Sequence, residues 1–205
     1  YCQGILRSLQ DSPYTLSIQP RLEEDDLLKP IKRIVDGQLA DGLIIGQTRN
    51  DDSRVRYLQQ QQFPFVTFGR TKLPEPHPFY DVRHEWLTED SVCRLSKLGH
   101  QRIGLINPPE ELNYSRHRLD GFLKGLESCG LGFQKEMQVS TALSFEAGRK
   151  VLQQFIELPN PPTAIVSPGV STTLGILTEM NSANLILGKD LDLIAFEGTN
   201  YLEFN

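Results

Sequence analysis

Short apolar segments alternate with longer amphipathic ones along almost the whole chain of 205 residues. The apolar segments are typical of buried strands, and the amphipathic ones repeat apolar residues at the i, i+3, i+4, i+7 spacing of helices with one buried face. The pattern predicts helices at 2–10, 27–35, 52–62, 115–128, 144–156 and 171–181, and one that ends at Gly99. It predicts strands at 14–19, 41–46, 63–69, 79–82, 102–107, 163–167 and 191–196.

This alternation predicts an α/β fold. Strands separated by helices of about a dozen residues favour right-handed crossovers and parallel sheets covered on both faces. The stretch "LSKLGHQRIGLI" (95–106) illustrates the unit, because Gly99 can end the helix and Ile103 starts the next apolar run. We expect His100 to have a structural role there, with its side chain beside the terminal carbonyls of the helix.

The composition narrows the class of protein. No apolar run is long enough for a membrane span, no signal peptide opens the chain, and the net charge is −5. We therefore expect no membrane partner, a cytoplasmic location, and no direct grip on DNA phosphates by this segment. The three cysteines are widely spaced and lack a CxxC pair, so we expect neither a disulfide framework nor a zinc site.

Enzyme motifs are missing from the sequence. There is no GxSxG, GxxxxGK[ST], HExxH or GxGxxG, and the four histidines are not spaced as metal ligands. We expect no catalytic centre, no metal and no cofactor. Arg118 is more suggestive, because it falls in the first turn of the predicted helix 115–128, where the helix dipole disfavours a cation. Either it serves a ligand in the cleft or it is a solvated surface charge.

Several stretches together resemble the effector-binding domain of the lactose-repressor/galactose-repressor (LacI/GalR) family of transcription regulators. No single stretch is decisive, but together they follow the order and spacing of the family over nearly all of the chain. They are "LADGLIIG" (39–46), "FPFVTFGR" (63–70), "LSKLGHQRIGLI" (95–106), "SRHRLDGFLKGLESCGL" (115–131), "PPTAIVS" (161–167) and "ILGKDLDLIAFEG" (186–198).

The resemblance implies two Rossmann-like subdomains with parallel sheets, of the type I periplasmic-binding-protein-like fold, around a ligand cleft. Residues 1–99 would form the N-terminal subdomain without its first strand, 100–197 the C-terminal one, and 198–205 the start of a return crossover. The resemblance also implies a homodimer, a small-molecule effector, and operator DNA bound through a helix-turn-helix domain before Tyr1.

The resemblance also assigns candidate site residues. Arg118 matches the arginine of the family's RxxGF motif, which hydrogen-bonds the effector, and Tyr114 matches another position that often touches it. Phe145, or Leu143 beside it, would offer an apolar face. The chain departs from the family at Arg83-His84-Glu85, at Gly169-Val170 and at Glu197. The candidate effector-binding residues are Arg118, Tyr114, Arg83, Trp86, Phe145, Gly169 and Glu197.

The altered positions place the usual free-sugar effector in doubt. If Arg83 and Arg118 both face the cleft, the pocket should prefer a carboxylate or phosphate. Arg83 could equally turn outward or pair with Glu85 or Glu197. We expect Arg118→Ala to change stability little, as a cleft arginine supports no core packing.

The resemblance also indicates which surfaces form the dimer. The exposed faces of the helices at 52–62 and 171–180, and the tail at 201–204, are candidate dimer surfaces. Their candidate residues are Tyr57, Leu58, Leu174, Leu177 and Tyr201.

The first alternative function is a periplasmic solute-binding protein that serves an ABC transporter. The second is an enzyme on a Rossmann-like scaffold.

Overall fold

The computed structural model describes residues 2–19 and 26–196. Its helices are α1 (Cys2–Ser8), α2 (Leu28–Asp36), α3 (Ser53–Gln60), α4 (His84–Lys97), α5 (Asn113–Ser128), α6 (Phe145–Ile156) and α7 (Val170–Ser182). Its strands are β1 (Leu43–Ile45), β2 (Phe65–Phe68), β3 (Phe79–Tyr80), β4 (Ile103–Asn107), β5 (Gln138–Ser140), β6 (Ala164–Ser167) and β7 (Asp192–Ala195). None of the helices in these ranges is long and apolar enough to cross a membrane.

Residues 2–19 and 26–41 belong to one compact unit, and residues 42–196 belong to a second. In the first unit, the Asp26 carboxylate accepts a hydrogen bond from the backbone N–H of Leu28 (2.9 Å) just before α2 begins. The strand predicted at 14–19 was wrong. These residues have no regular secondary structure, because a strand needs a neighbour and no described strand pairs with them.

The second unit contains two parallel sheets, as the alternation of elements predicted. One has the strand order β1-β2-β3, and the other has the order β5-β4-β6-β7. The sequence pattern missed β5, a short strand that follows a single 3₁₀ turn at Lys135–Met137 and pairs along one edge of β4. Three residues are too few to produce a readable alternation.

Two hydrophobic clusters cover the four-stranded sheet. Ile103 and Leu105 of β4 lie in one cluster, with Phe122 and Leu126 of α5. Ile106 lies in the other cluster, with side chains of α6 and α7. Because successive side chains of a strand point to opposite faces, the two clusters lie on opposite faces of this sheet.

Helix α4 belongs with the four-stranded sheet. Its residues Val92 and Leu95 are buried in the cluster with Phe122, and α4 packs along α5 and against β6. The sequence analysis had assigned this helix to the N-terminal subdomain. We therefore move the division between the two sheets from residue 99 to the start of α4.

His100 joins strands instead of capping a helix. Gly99 ends α4 with a φ of 97°, as predicted, but the His100 ring turns toward β6 and β7. One ring nitrogen lies 2.6 Å from Asp192 Oδ2 and the other 2.9 Å from Thr163 Oγ1. The structural role holds, but the predicted contact with helix carbonyls does not, because two polar side chains offer the ring better partners.

Candidate functional site

A polar network fixes the start of α5 against the end of β4. The Asn107 side-chain amide donates to the backbone carbonyl (2.8 Å) and hydroxyl (2.9 Å) of Ser115. The Ser115 hydroxyl in turn donates to the Pro108 carbonyl (2.9 Å). Since ligands of open α/β sheets bind beyond the carboxyl ends of strands, this network sets the geometry of the candidate site.

Arg118 extends from α5 to the carboxyl ends of β4 and β6. Its Nε donates to Asn107 Oδ1 (3.1 Å), its Nη2 donates to the Ser167 carbonyl (3.3 Å), and its guanidinium lies 4.2 Å from the centre of the Phe196 ring. The residue is only 1% exposed. Among the described residues, no carboxylate hydrogen-bonds to it or forms an ion pair with it.

This burial corrects two expectations about Arg118. The helix starts at Asn113, so Arg118 is in its second turn, where the dipole argument loses its force. A buried guanidinium with two hydrogen bonds also takes part in packing, so its removal will affect stability. Burial lowers the pKa of Arg118 to about 9, and the group therefore remains a cation at neutral pH.

His84 and Tyr114 lie beside this cation. Their rings are 5.1 Å apart between centroids. Burial, and next the positive charge of Arg118, lower the pKa of His84 to about 4, so the imidazole is neutral near pH 7. Burial also raises the pKa of Tyr114. The buried Nδ1 of His84 has no hydrogen-bond partner within the described residues, which leaves one polar atom open to a ligand.

Sequence reasoning passed over His84, Asn107 and Ser167. Two signals could have found them. His84 is the middle residue of the Arg83-His84-Glu85 departure, and Asn107 and Ser167 are the polar ends of the apolar strands "IGLIN" and "AIVS". Buried polar side chains at the carboxyl ends of neighbouring strands are where a doubly wound sheet places a site.

Arg83 and Trp86 lie in a groove separate from the surroundings of Arg118. Both are exposed, and they line a groove of about 500 Å³ between the first turns of α4 and the adjacent face of α5. Neither Arg118 nor Tyr114 lines this groove, so the two arginines do not share one pocket. Glu85 pairs with Arg70 (2.9 Å), and no ion pair of Arg83 occurs within the described ranges. The lining residues are Arg70, Arg83, Glu85, Trp86, Glu89, Asp120, Gly121 and Lys124.

Arg70 is a second group that the sequence analysis did not single out. It follows β2, and its guanidinium donates to Asp81 Oδ2 (2.6 Å) and to Glu85 Oε1 (2.9 Å), and lies 3.0 Å from His117 Nδ1. Its backbone carbonyl accepts a hydrogen bond from the Asn113 amide (2.6 Å). These contacts connect the loop after β2 with the first turns of α4 and α5.

The remaining predicted effector residues are Phe145, Gly169 and Glu197. Phe145 is the first residue of α6 and is 38% exposed. Gly169 precedes α7, and its carbonyl accepts hydrogen bonds from the N–H and hydroxyl of Thr173. No hydrogen bond, ion pair or ring contact joins Phe145 or Gly169 to Arg118 within the described residues. Glu197 lies outside the described residues.

Two of the predicted dimer residues are left out of the candidate dimer surface. Leu58 is fully buried in the fold (0% exposed), because its position on α3 faces inward, so the prediction that it contacts a partner was wrong. Tyr201 lies outside the described residues. Tyr57 and Leu177 are half-buried, and Leu174 is 38% exposed on α7.

The two parallel sheets with their helices agree with a periplasmic-binding-protein-like fold. A family model described as periplasmic binding proteins and sugar-binding domain of the LacI family matches residues 2–195. The chain therefore belongs to the LacI family.

Individual relatives agree with this assignment. The HTH-type transcriptional regulator AglR of Rhizobium meliloti is 30% identical over 198 residues, which is 96% of this chain and 55% of that protein. The HTH-type transcriptional repressor CytR of Escherichia coli is 29% identical over 175 residues, covering 85% and 51%. A LacI-type regulator from Bacillus cereus shares the fold with a TM-score of 0.92 at 24% identity, covering 99% and 72% of the two chains. The chain thus spans about half the length of the curated relatives it matches.

Proposed function

We propose that this chain is the effector-binding and dimerisation core of a LacI-type, DNA-binding transcription regulator that senses a small polar metabolite, a sugar or a related compound. The observation that carries the proposal is the buried Arg118 guanidinium, which has two neutral acceptors and no carboxylate partner in the described chain. A buried cation without a counter-charge is costly. An effector that supplies acceptor oxygens would offset that cost.

The surroundings of Arg118 narrow the chemistry of the effector. A planar guanidinium suits a carboxylate, a phosphate or a pair of vicinal hydroxyls, because its donors are fixed in one plane. The unpartnered Nδ1 of His84 adds one neutral polar contact, and the faces of Tyr114 and Phe196 add apolar surface. Since Arg83 lines a different groove, Arg118 supplies the positive charge beside His84 and Tyr114 within the described residues.

A thermal-shift screen tests the proposal. The panel contains sugars, sugar phosphates, hydroxy acids and nucleosides, and it is run on the wild type and on Arg118→Met. A ligand that binds only the folded state raises the unfolding temperature in proportion to its saturation. We expect at least one compound to stabilise the wild type much more than the variant. Equal stabilisation of both proteins would remove Arg118 from the site.

DNA binding is proposed for a separate part of the complete protein. The net charge of −5 on this chain argues against strong phosphate binding. Its relatives are HTH-type regulators, and this supports an N-terminal domain that binds operator DNA in the cytoplasm. We expect the complete protein to bind operator DNA with steep salt dependence and the 205-residue chain to bind none. Comparable binding by the chain alone would contradict this division.

A homodimer is proposed through the exposed faces of α3 and α7, with Tyr57, Leu174 and Leu177 on the candidate surface. We expect sedimentation to give a dimer at micromolar concentration. Leu174→Glu should shift the complete protein toward monomer, because it places a charge on an apolar interface. Leu187→Glu, at a residue that is 53% exposed and outside both helices, is the matched control. Equal behaviour of the two variants would exclude α7.

A periplasmic solute-binding protein remains the second candidate, because the matched family model includes such proteins. The curated relatives favour the regulator, since they are HTH-type proteins. The segment that precedes Tyr1 in the complete protein distinguishes the two. A helix-turn-helix supports the regulator, and a secretory signal peptide supports the transporter component.

A further inference from the structure

Helices α4 and α5 pack unusually closely along one line. A Cβ on Gly121 would clash with the Glu85 carbonyl oxygen, and a Cβ on Gly125 would come within 2.8 Å of Val92 Cβ. These glycines are four residues apart on α5, so they lie on the same face of the helix. The missing side chains allow the two helix backbones to approach.

Four residues after Gly125, directly after the last residue of α5, comes Cys129. On α4, the facing positions Glu85 and Glu89 are likewise followed after four residues by Cys93. The close packing therefore brings two cysteines that are 36 residues apart in sequence to a sulfur–sulfur distance of 3.1 Å. Both are free thiols and both are partly exposed to solvent.

We propose that Cys93 and Cys129 form a redox-sensitive pair that closes reversibly into a disulfide and thereby joins the C-terminal ends of α4 and α5. A disulfide requires the sulfurs to move about 1 Å closer, which side-chain rotation at the helix ends can supply. Disulfides in reducing compartments are usually transient and redox-sensing, which suits two neighbouring thiols that are partly exposed to solvent.

The oxidant is a small-molecule disulfide such as oxidised glutathione. One protein thiolate attacks a sulfur of this disulfide and releases one glutathione thiolate. The neighbouring protein thiolate then attacks the mixed disulfide and releases the second. Two protein thiols become one disulfide bond, and the oxidant's disulfide becomes two thiols. The hydrogen bond with Cys129, and next burial, raise the pKa of Cys93 to about 11, so exchange should quicken as the pH rises above neutral.

Peptide mapping of the complete protein tests the proposal. After treatment with oxidised glutathione and tryptic digestion, we expect the peptide His84–Arg94 to be linked to the peptide Gly125–Lys135. A thiol reductant should separate them. The oxidised protein should also unfold at higher urea than the reduced protein, because the cross-link restricts the unfolded chain.

Variants provide the controls. Cys2→Ser should form the same link at the same rate, whereas Cys93→Ser and Cys129→Ser should form none and show no urea shift on oxidation. Stable mixed disulfides with glutathione on the wild type, without the linked peptides, would overturn the proposal. So would a protein that does not react at alkaline pH.

Discussion

The two sheets of the second unit differ in the interactions that stabilise each of them. Every residue of β4 and β6 is buried, and hydrophobic clusters cover both faces of the four-stranded sheet. In the three-stranded sheet, β3 is exposed along its length and β2 has one buried residue, Thr67. This sheet and its flanking loops depend more on charged contacts, such as the buried pair of Asp52 with Arg54 (2.7 Å) and the pair of Arg70 with Asp81 (2.6 Å).

This difference has a consequence for the site. Asn107 and Ser167 end strands of the sheet with the larger core, and Arg118 lies on α5, which packs on that sheet, so their positions are fixed by packing. Polar contacts, among them the hydrogen bonds of Arg70, connect the flanking segments of the three-stranded sheet with α4 and α5. Polar contacts exchange partners at lower cost than a packed core, so we expect effector-dependent change on the side of the three-stranded sheet.

The largest expected effect is the loss of a core side chain from the four-stranded sheet. Phe122 is 1% exposed, and Phe122→Ala should cost about 3–5 kcal/mol of unfolding free energy because it leaves a cavity. Phe68→Ala in β2, at a half-buried ring stacked on Tyr80, should cost about 1–2 kcal/mol. Urea denaturation measures both. Equal losses would mean that the two sheets are equally well packed.

The contact of α4 with α5 should respond to a single methyl group. Gly121→Ala forces the helices apart and should cost about 3 kcal/mol by urea denaturation. Gly132→Ala is the matched control, because a Cβ there meets no atom within 4 Å, and it should stay within about 0.5 kcal/mol of the wild type. If Gly121→Ala is equally neutral, the close packing on which the cysteine pair depends is wrong.

The buried His84 should make stability depend on pH. Its folded pKa of about 4 lies below its ordinary value of 6.5, so the unfolded chain binds the proton more readily. Stability should therefore be complete above pH 6.5 and fall as the pH drops toward 4. At pH 5 the loss of unfolding free energy, relative to neutral pH, amounts to up to about 2 kcal/mol.

His84→Asn isolates that contribution, because asparagine does not titrate. Chemical denaturation between pH 4 and 7.5 should give a flatter profile for the variant than for the wild type. Parallel profiles for the two proteins would show that the imidazole is solvated.

Most of the fold could be predicted from the sequence, because buried helices and strands keep their hydrophobic periods. "IGLIN" and "AIVS" were found as strands, and the helix predicted at 144–156 is α6, with Ser144 as its N-cap. The errors concern features set by distant partners. The segment 14–19 alternates like a strand but has no neighbour in the described chain, and β5 exists because β4 offers it an edge.

The site was predicted less well than the fold. The family motif pointed to Arg118 and Tyr114, and the structure places His84 beside them. The sequence did not single out His84 as their neighbour, because the choice between Arg83 and His84 depends on the exact start of α4. Helix starts are the least readable feature of a hydrophobic pattern. The prediction that Leu58 contacts a partner was wrong for a related reason. The sequence of a polar helix such as α3 does not show which of its few apolar residues faces inward.

Titration calorimetry that compares the wild type with Arg118→Met tests the central claim most directly. The titrated ligand is the compound that the thermal-shift screen identifies. A hydrogen bond to a charged group contributes about 1.5–3 kcal/mol, so Arg118→Met should weaken binding roughly 10- to 150-fold. Arg116→Met, two residues away in an exposed pair with Asp120, should bind like the wild type. Unchanged affinity in a folded Arg118→Met protein would contradict the effector site proposed around this residue.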